Sequence, residues 1–149
     1  MIDPATAYDL GGKLVMLGWA GLIASLFIER ARPAAQAAAR LIIPALLAVA
    51  YGLLIRTGFG EADGGGYGSI SEVRALFASD SALTAGWLHY LAFDLFVGSW
   101  IVADGLKRRI PVLLILPCLP LTFLFGPLGL LLFILLRLAL RRPQLAENL

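Results

Sequence analysis

The chain has 149 residues, of which 60% are hydrophobic and only 15% are charged. A soluble domain of this size spreads its charges over a water-facing surface, so the composition excludes an ordinary soluble fold and indicates an integral membrane protein. The net charge of +2 is too small to indicate a nucleic-acid-binding protein.

Four apolar segments recur along the chain, and each is close to the ~20 residues that a helix needs to cross a bilayer. They predict transmembrane helices at about 10–28, 40–56, 82–103 and 111–137. Between the second and third, Ser69-Ile70-Ser71-Glu72 has the pattern of a helix start and predicts a short interfacial helix over about 70–79. The predicted fold is all-α, a single domain built as a bundle of about four transmembrane helices.

The fourth apolar stretch differs from the others because Pro117, Pro120 and Gly126-Pro127 interrupt it. Either a kinked, tilted helix or a hairpin of two half-helices fits this pattern. Four full spans place six basic residues on each side of the membrane, whereas a hairpin gives nine against three. The positive-inside rule favours the second count. We take four spans, the last one broken at Gly126-Pro127, as the first prediction and the hairpin as the alternative.

The third predicted span carries ionisable groups, which are functional candidates in a membrane because burying them costs free energy. Asp94 lies near the middle of the span and predicts either an acid/base group or a structural interhelical hydrogen bond. His89 predicts either an acid/base group or an interfacial histidine bonded to a backbone carbonyl. At ~100° per residue the two side chains lie about 140° apart, so we expect no direct contact between them.

Aromatic residues of the same span fall on defined faces. His89, Phe93, Phe96 and Trp100 share one stripe, and Tyr90 and Asp94 share the adjacent one. The aromatic row predicts an apolar slot for a ligand, although tryptophans that anchor the helix at the membrane interface give the same pattern. Asp104, beside Lys107 and Arg108, predicts an interfacial salt bridge or a ligand contact. The predicted catalytic residues are thus His89 and Asp94, and the predicted ligand-binding residues are Tyr90, Phe93, Phe96, Trp100 and Asp104.

The chain has a single histidine, His89, and a single cysteine, Cys118. These counts exclude an internal disulfide and a histidine-rich di-iron centre, and no metal site is predicted.

Two stretches of the sequence together resemble a known family. The first runs from Trp87-Leu88-His89 through Asp94-Leu95-Phe96 and Asp104 to Ile110-Pro111, and the second from Pro117-Cys118-Leu119-Pro120 to Gly126-Pro127-Leu128-Gly129-Leu130. A His-x-x-x-x-Asp-Leu-Phe pattern followed by a Gly-Pro-x-Gly break is similar to the abscisic-acid-deficiency-four-like membrane proteins, whose plant member is linked to neoxanthin synthesis. The resemblance covers roughly residues 86 to 137, and the first two spans match only in number and position.

The resemblance implies a four-span protein that acts on, or is needed for, an epoxy-carotenoid. The plant family's conversion of violaxanthin to neoxanthin isomerises an epoxide to an allenic alcohol. It removes a proton from the polyene carbon beside the ring and protonates the epoxide oxygen. No electrons are exchanged, so the resemblance implies no flavin, haem or iron cofactor. The resemblance carries over no catalytic assignment, but His89 and Asp94 match the pattern positions and are the acid/base pair that we predict.

Two other functions remain open. The chain can be a non-catalytic carotenoid- or lipid-binding protein, or an accessory subunit of a membrane assembly; a small oligomeric transporter is a weaker hypothesis. The expected partners are membrane lipids and a carotenoid or other isoprenoid, with no nucleic acid, and a homo- or hetero-oligomer stays open. No Ser/Arg-rich plastid transit segment is found, which favours a prokaryotic member in the bacterial inner (plasma) membrane.

Overall fold

The computed structural model describes residues 2–140, and this part of the chain is helical, without strands. The helices are α1 (Pro4–Phe27), α2 (Arg32–Ala37), α3 (Ile43–Glu61), α4 (Ile70–Leu76), α5 (Asp80–Lys107), α6 (Val112–Ile115), α7 (Cys118–Phe125) and α8 (Pro127–Ala139). A 3-10 turn, Glu29–Ala31, precedes α2, and a π-helical turn, Ala38–Ile42, joins α2 to α3. The all-α prediction is confirmed.

Three helical segments are long and apolar enough to cross a membrane: α1, the continuous segment Glu29–Glu61, and α5. Helix α1 begins earlier than predicted because Asp3 caps it, accepting hydrogen bonds from the backbone N–H and the hydroxyl of Thr6 at 2.8 and 2.6 Å. These hydrogen bonds lower the pKa of the Asp3 carboxyl. Pro4 follows at the first helical position, where its missing N–H is harmless.

The second long segment extends beyond the predicted 40–56 at both ends. Its alanine-rich start, residues 34–39, favours the helix strongly, and Pro33 lies in the first turn of α2. Pro44 therefore lies inside a long helix, where its ring would clash with the carbonyl of Arg40 in regular α-helical geometry. The π-helical turn contains Arg40 and ends two residues before Pro44, so the regular geometry that would cause this clash is absent there.

Helix α5 lies at the centre of the bundle. Helix α1 runs parallel to it, because Gly11 packs against Leu88 and Gly18 against Leu95. Glycine at these positions lets the two helices approach closely.

Helix α3 runs antiparallel to α5. Gly58 packs against Ala82 near the start of α5, whereas the Gln36 side chain, in α2 of the same long segment, donates a 3.1 Å hydrogen bond to the Ser99 carbonyl in the second half of α5. The loop between α3 and α5 contains α4, whose cap Ser69 accepts from the Glu72 N–H at 3.2 Å. Helix α4 ends at Leu76, three residues before the predicted end at 79.

The fourth apolar stretch is broken at Gly126-Pro127, as predicted. Gly126 has φ +44°, a backbone conformation that favours glycine, and it separates α7 from α8. Helix α8 then folds back along α7, since a Cβ on Gly129 would overlap the backbone of Thr122. In a continuous helix these two residues would be ~10 Å apart. The two arms therefore form a hairpin.

Both arms of the hairpin lie along the second half of α5. Ile115 from α6 and Phe133 from α8 both contact Gly105, near the end of α5, whereas Gly126 at the hairpin tip lies against Asp94 in its middle. The hairpin thus reaches only about half the length of α5. Of the two alternatives for the fourth stretch, the structure has the hairpin. Three long helices and this re-entrant hairpin make up the bundle.

This arrangement separates the basic residues between the two ends of the bundle. The end with the outer parts of both hairpin arms, which we name the basic end, has seven of those described: Arg30, Arg32, Arg40, Lys107, Arg108, Arg109 and Arg137. The opposite end, named the loop end because it contains α4, has Lys13, Arg56 and Arg74. Arg141 and Arg142 lie outside the described residues. By the positive-inside rule, the asymmetry predicts that the basic end faces the cytoplasm.

The hairpin predicts that Lys107 and Leu140 lie on the same side of the membrane. In a Cys118→Ala background, single cysteines introduced as Lys107→Cys and Leu140→Cys should react with a membrane-impermeant maleimide only from the cytoplasmic side. Asp63→Cys in the loop is the control and should react only from the other side. Labelling of Lys107→Cys and Leu140→Cys from opposite sides would show a fourth full span.

The hairpin also predicts that Gly129 tolerates no side chain. Gly129→Ala should lower the free energy of unfolding in mild detergent by about 2 kcal/mol or more, because its Cβ must displace the α7 backbone. Gly12→Ala is the matched control, since a Cβ at Gly12 meets no atom within 4 Å. Equal thermal stability of the two variants would show that α7 and α8 do not pack as described.

Candidate functional site

The carboxylate of Asp94 lies in the interior of the bundle at the tip of the hairpin. Asp94 is only 9% exposed, and a Cβ built on Gly126 would lie 2.9 Å from its Oδ1 atom. Its Oδ2 atom is buried and accepts no well-formed hydrogen bond among the described residues, and the Tyr90 hydroxyl, which donates to the Phe123 carbonyl, is the one hydrogen-bonding side chain beside the carboxyl. A buried carboxylate oxygen without a partner is costly, so packing alone does not account for this residue.

The hairpin tip brings the backbone of Gly126 directly against this carboxylate. Gly126 is both the cap residue at the end of α7 and the cap residue at the start of α8, so the opposite partial charges of the two helix ends largely cancel there. A larger residue at Gly126 would require an unfavourable backbone conformation and would displace the carboxylate. The glycine therefore allows both the turn and the close approach of Asp94.

Trp19 supplies an unpaired hydrogen-bond donor in the same region. Its indole ring packs directly on Gly98, four residues after Asp94 on the same face of α5. Its Nε1 atom is buried and has no partner within the described chain. Trp19 thus places a buried, unpaired donor against the face of α5 that also carries Asp94. A ligand hydroxyl can accept from an indole N–H and donate to a carboxylate.

Tyr90 and Phe123 lie on the loop-end side of this region. The Tyr90 hydroxyl donates a 3.1 Å hydrogen bond to the Phe123 carbonyl, which ties α5 to α7. The Phe123 ring lies edge-on to Trp19, with ring centres 5.8 Å apart. Tyr90 in turn stacks on Trp87, which stacks on Tyr8 of α1. Tyr8, Trp87 and Tyr90 thus form an aromatic row that starts at the loop end, and the Tyr90 hydrogen bond joins it to the backbone of Phe123 near the hairpin tip.

A crevice lies beside this row, between α1 and α5. Its volume is about 530 Å³, and apolar side chains such as Met16, Trp87, Leu91 and Phe123 line most of it. The ion pair of Asp9 with Lys13 lies on its rim. The crevice occupies the half of the bundle that the hairpin leaves unfilled. Phe123 lines the crevice and also contacts Trp19, so it separates the crevice from the unpaired groups.

The helical spacing of His89 and Asp94 predicts no direct contact between them, and in the structure the two side chains lie apart. His89 is exposed on the surface of the bundle, where it stacks on Phe93 at 4.5 Å and lies 5.8 Å from Tyr51 of α3. Of the other predicted site residues, only Tyr90 lies beside Asp94 at the tip.

The remaining predicted ligand-binding residues lie elsewhere. Phe93, Phe96 and Trp100 share the outward stripe with His89, and Phe93 is 60% exposed. Asp104 lies at the basic end and forms the predicted salt bridge, to Arg108 at 2.7 Å, with Arg137 also 3.6 Å away. It takes no part in the arrangement around Asp94.

Sequence reasoning missed Trp19 as a member of the site. Its position among the apolar residues of the first span carries no signal, because its role depends on α1, α5 and the hairpin tip meeting at one depth. Gly126 was noted as a break in the helix, but not as a neighbour of Asp94.

The unpaired oxygen predicts that Asp94 destabilises the ligand-free protein. Asp94→Asn should raise the free energy of unfolding in mild detergent by about 1 kcal/mol, because a neutral amide is less costly to bury than a carboxylate. Asp104→Asn is the matched control on the same helix and should lower it slightly, since it weakens two ion pairs. A clear loss of stability in Asp94→Asn would identify Asp94 as a structural hydrogen-bonding residue.

One known protein family matches most of the chain. The family model described as ABA DEFICIENT 4-like (ABA4-like) matches residues 6–133. This match includes Trp19, Asp94 and the hairpin tip, and it extends over the first two long helices. No curated protein and no solved structure matches the chain significantly. The protein belongs to the ABA DEFICIENT 4-like family, and this membership suggests a role in a carotenoid or xanthophyll pathway.

Proposed function

We propose that the protein binds one end of an oxygenated carotenoid, or of a related isoprenoid, in the crevice between α1 and α5 and isomerises it at the hairpin tip. The observation that carries the proposal is the buried carboxylate of Asp94, which has no cationic partner among the described residues and only the Tyr90 hydroxyl beside it. Intramembrane carboxylates without a structural partner are functional candidates. The family membership supports the choice of a carotenoid as the ligand.

The crevice suits a long apolar ligand. Its wall is mostly aliphatic and aromatic, and Tyr8 and Trp87, which both line it, offer ring surfaces for a conjugated chain. The ligand end would reach Trp19 and Asp94 by displacing the Phe123 ring. Binding in mostly apolar surroundings with a few placed polar groups is the usual design of small-molecule sites.

The proposed reaction converts an epoxide into an allenic alcohol. The Asp94 carboxylate accepts the proton from the polyene carbon beside the ring, and the released electron pair forms the new double bond. The epoxide C–O bond breaks, and its electron pair stays on the oxygen. The Trp19 N–H donates a hydrogen bond to that oxygen, which stabilises its developing negative charge. Asp94 then returns the proton to the oxygen, so substrate and product are isomers and no electrons are exchanged.

Binding without conversion is the second candidate function. The observation that favours it is the position of His89, because the acid/base pair expected from the sequence is not assembled on one face of α5. One carboxyl group must then serve both proton transfers. A carotenoid- or lipid-binding protein, or an accessory subunit, needs the crevice but not this chemistry.

The proposal predicts that Asp94→Asn abolishes conversion and keeps binding. In a bacterial host that accumulates an epoxy-carotenoid, the wild-type protein should generate an isomeric allenic product. Asp94→Asn should lower this conversion at least about 100-fold, the lower end of what a general acid/base contributes. Pigments extracted from the cells and from the purified protein are compared by chromatography and mass spectrometry.

His89→Gln is the matched control, because His89 lies on the same helix but on another face. It should keep the wild-type conversion. Full activity of Asp94→Asn would disprove the mechanism, and loss of activity in His89→Gln alone would move the site to the outward stripe. Wild-type protein that retains pigment without converting it would favour the binding function.

A further inference from the structure

The outward stripe of α5 is an exposed aromatic surface that the proposed reaction does not use. Phe93 and Phe96 are 60% and 45% exposed, and Trp100 is half-buried. Helix α3 borders the stripe through Tyr51, and α8 borders it through Phe133, whose ring centre is 5.4 Å from that of Trp100. We name this surface, from His89 to Trp100 between α3 and α8, the aromatic groove.

Two arginines reach into the basic-end half of the aromatic groove from its two walls. The Arg40 guanidinium, from the π-helical turn, lies 5.9 Å from the centre of the Phe96 ring. The Arg137 guanidinium, from α8, lies 5.8 Å from the centre of the Trp100 ring. Phe96 and Trp100 are one helical turn apart on α5, so the two cations flank the same segment of the groove.

Arg40 carries an uncompensated charge within an apolar helix. It lies eight residues after Arg32, the first residue of α2, which corresponds to ~12 Å along the helix axis. Its side chain is exposed on the outer surface of the bundle, and it has no acidic partner among residues 2–140. Helical side chains tilt towards the N-terminus, so Arg40 extends towards the basic end. A cation at this depth stays stable by drawing polar groups of the bilayer towards it.

Arg137 adds to the excess of positive charge. It shares the single carboxylate of Asp104 with Arg108, at 3.6 and 2.7 Å respectively. One negative charge therefore serves two guanidinium groups. The groove thus combines an exposed apolar floor with uncompensated cations at its interfacial end.

We propose that the aromatic groove binds one anionic phospholipid from the leaflet at the basic end. Its phosphate lies between Arg40 and Arg137, and one acyl chain runs along Phe96 and Phe93 towards His89. Basic pockets between transmembrane helices bind anionic head groups, whereas a zwitterionic lipid brings its own cation and is held more weakly.

Charge distribution favours a lipid over a second copy of the chain. At the basic end the described acidic residues are only Glu29 and Asp104, and both already pair with arginines. The other acidic residues that the structure places at an end, such as Asp9, Glu61 and Asp80, lie at the loop end. A second copy inserted in the same direction would place its own cations beside Arg40 and Arg137. It would not neutralise them.

The test compares anionic and zwitterionic lipids on the intact protein. Delipidated protein in mild detergent is titrated with phosphatidylglycerol or phosphatidylcholine of identical acyl chains, and bound lipid is counted by native mass spectrometry. Wild-type protein should bind the first phosphatidylglycerol at least about tenfold more tightly. The double variant Arg40→Gln/Arg137→Gln should lose this preference. Arg30→Gln, which removes a basic-end cation outside the groove, should keep it.

Equal affinity of the wild-type protein for the two lipids would overturn the proposal, and this result needs no variant. An unchanged preference in the double variant would overturn it as well, because other cations would then hold the head group. A stable dimer that excludes the lipid would assign the groove to a second copy instead. Conversion of a carotenoid is measured separately, so failure of either proposal leaves the other standing.

Discussion

A chain that turns back inside the hydrocarbon layer must cover its broken backbone with protein, because no water is available there to pair with the freed peptide groups. In this structure the middle of α5 provides that cover. Gly126 at the turn lies directly against Asp94, and the two arms pack on the second half of α5. This one contact determines the depth of the hairpin, the space left beneath it and the surroundings of the carboxylate.

The central position of α5 follows from small residues on its neighbours. Gly11 and Gly18 of α1 and Gly58 of α3 let these helices approach α5 closely, in a solvent where apolar surface alone gives no preference for protein over lipid. With three partners fixed, α5 presents a different chemistry on each side. The side towards the hairpin holds Asp94, and the side between α3 and α8 holds exposed aromatic rings. The two proposed ligands therefore occupy separate faces and reach the protein from opposite leaflets.

Much of the architecture could be predicted from the sequence, because hydrophobic length and glycine-proline breaks are local signals. The helical class, the break at Gly126-Pro127 and the separation of His89 from Asp94 all follow from such signals. The direction of the chain after the break could not be predicted, since a kinked span and a hairpin have the same apolar pattern. Only the distribution of basic residues pointed to the hairpin. Trp19 could not be predicted as a site residue for a related reason. Its position near Asp94 depends on how the helices pack, including how deeply the hairpin inserts.

The π-helical turn at Ala38–Ile42 makes one long helix behave as two. A π turn holds about one residue more than an α turn, so it rotates everything before it by about 100° relative to everything after it. The half before the turn places Gln36 on Ser99, and the half after it places Tyr51 beside His89. The side chains of the two halves are therefore rotated about the helix axis relative to each other. Deleting one residue from this turn would barely shorten the helix, but it would turn the basic-end half away from its present partners.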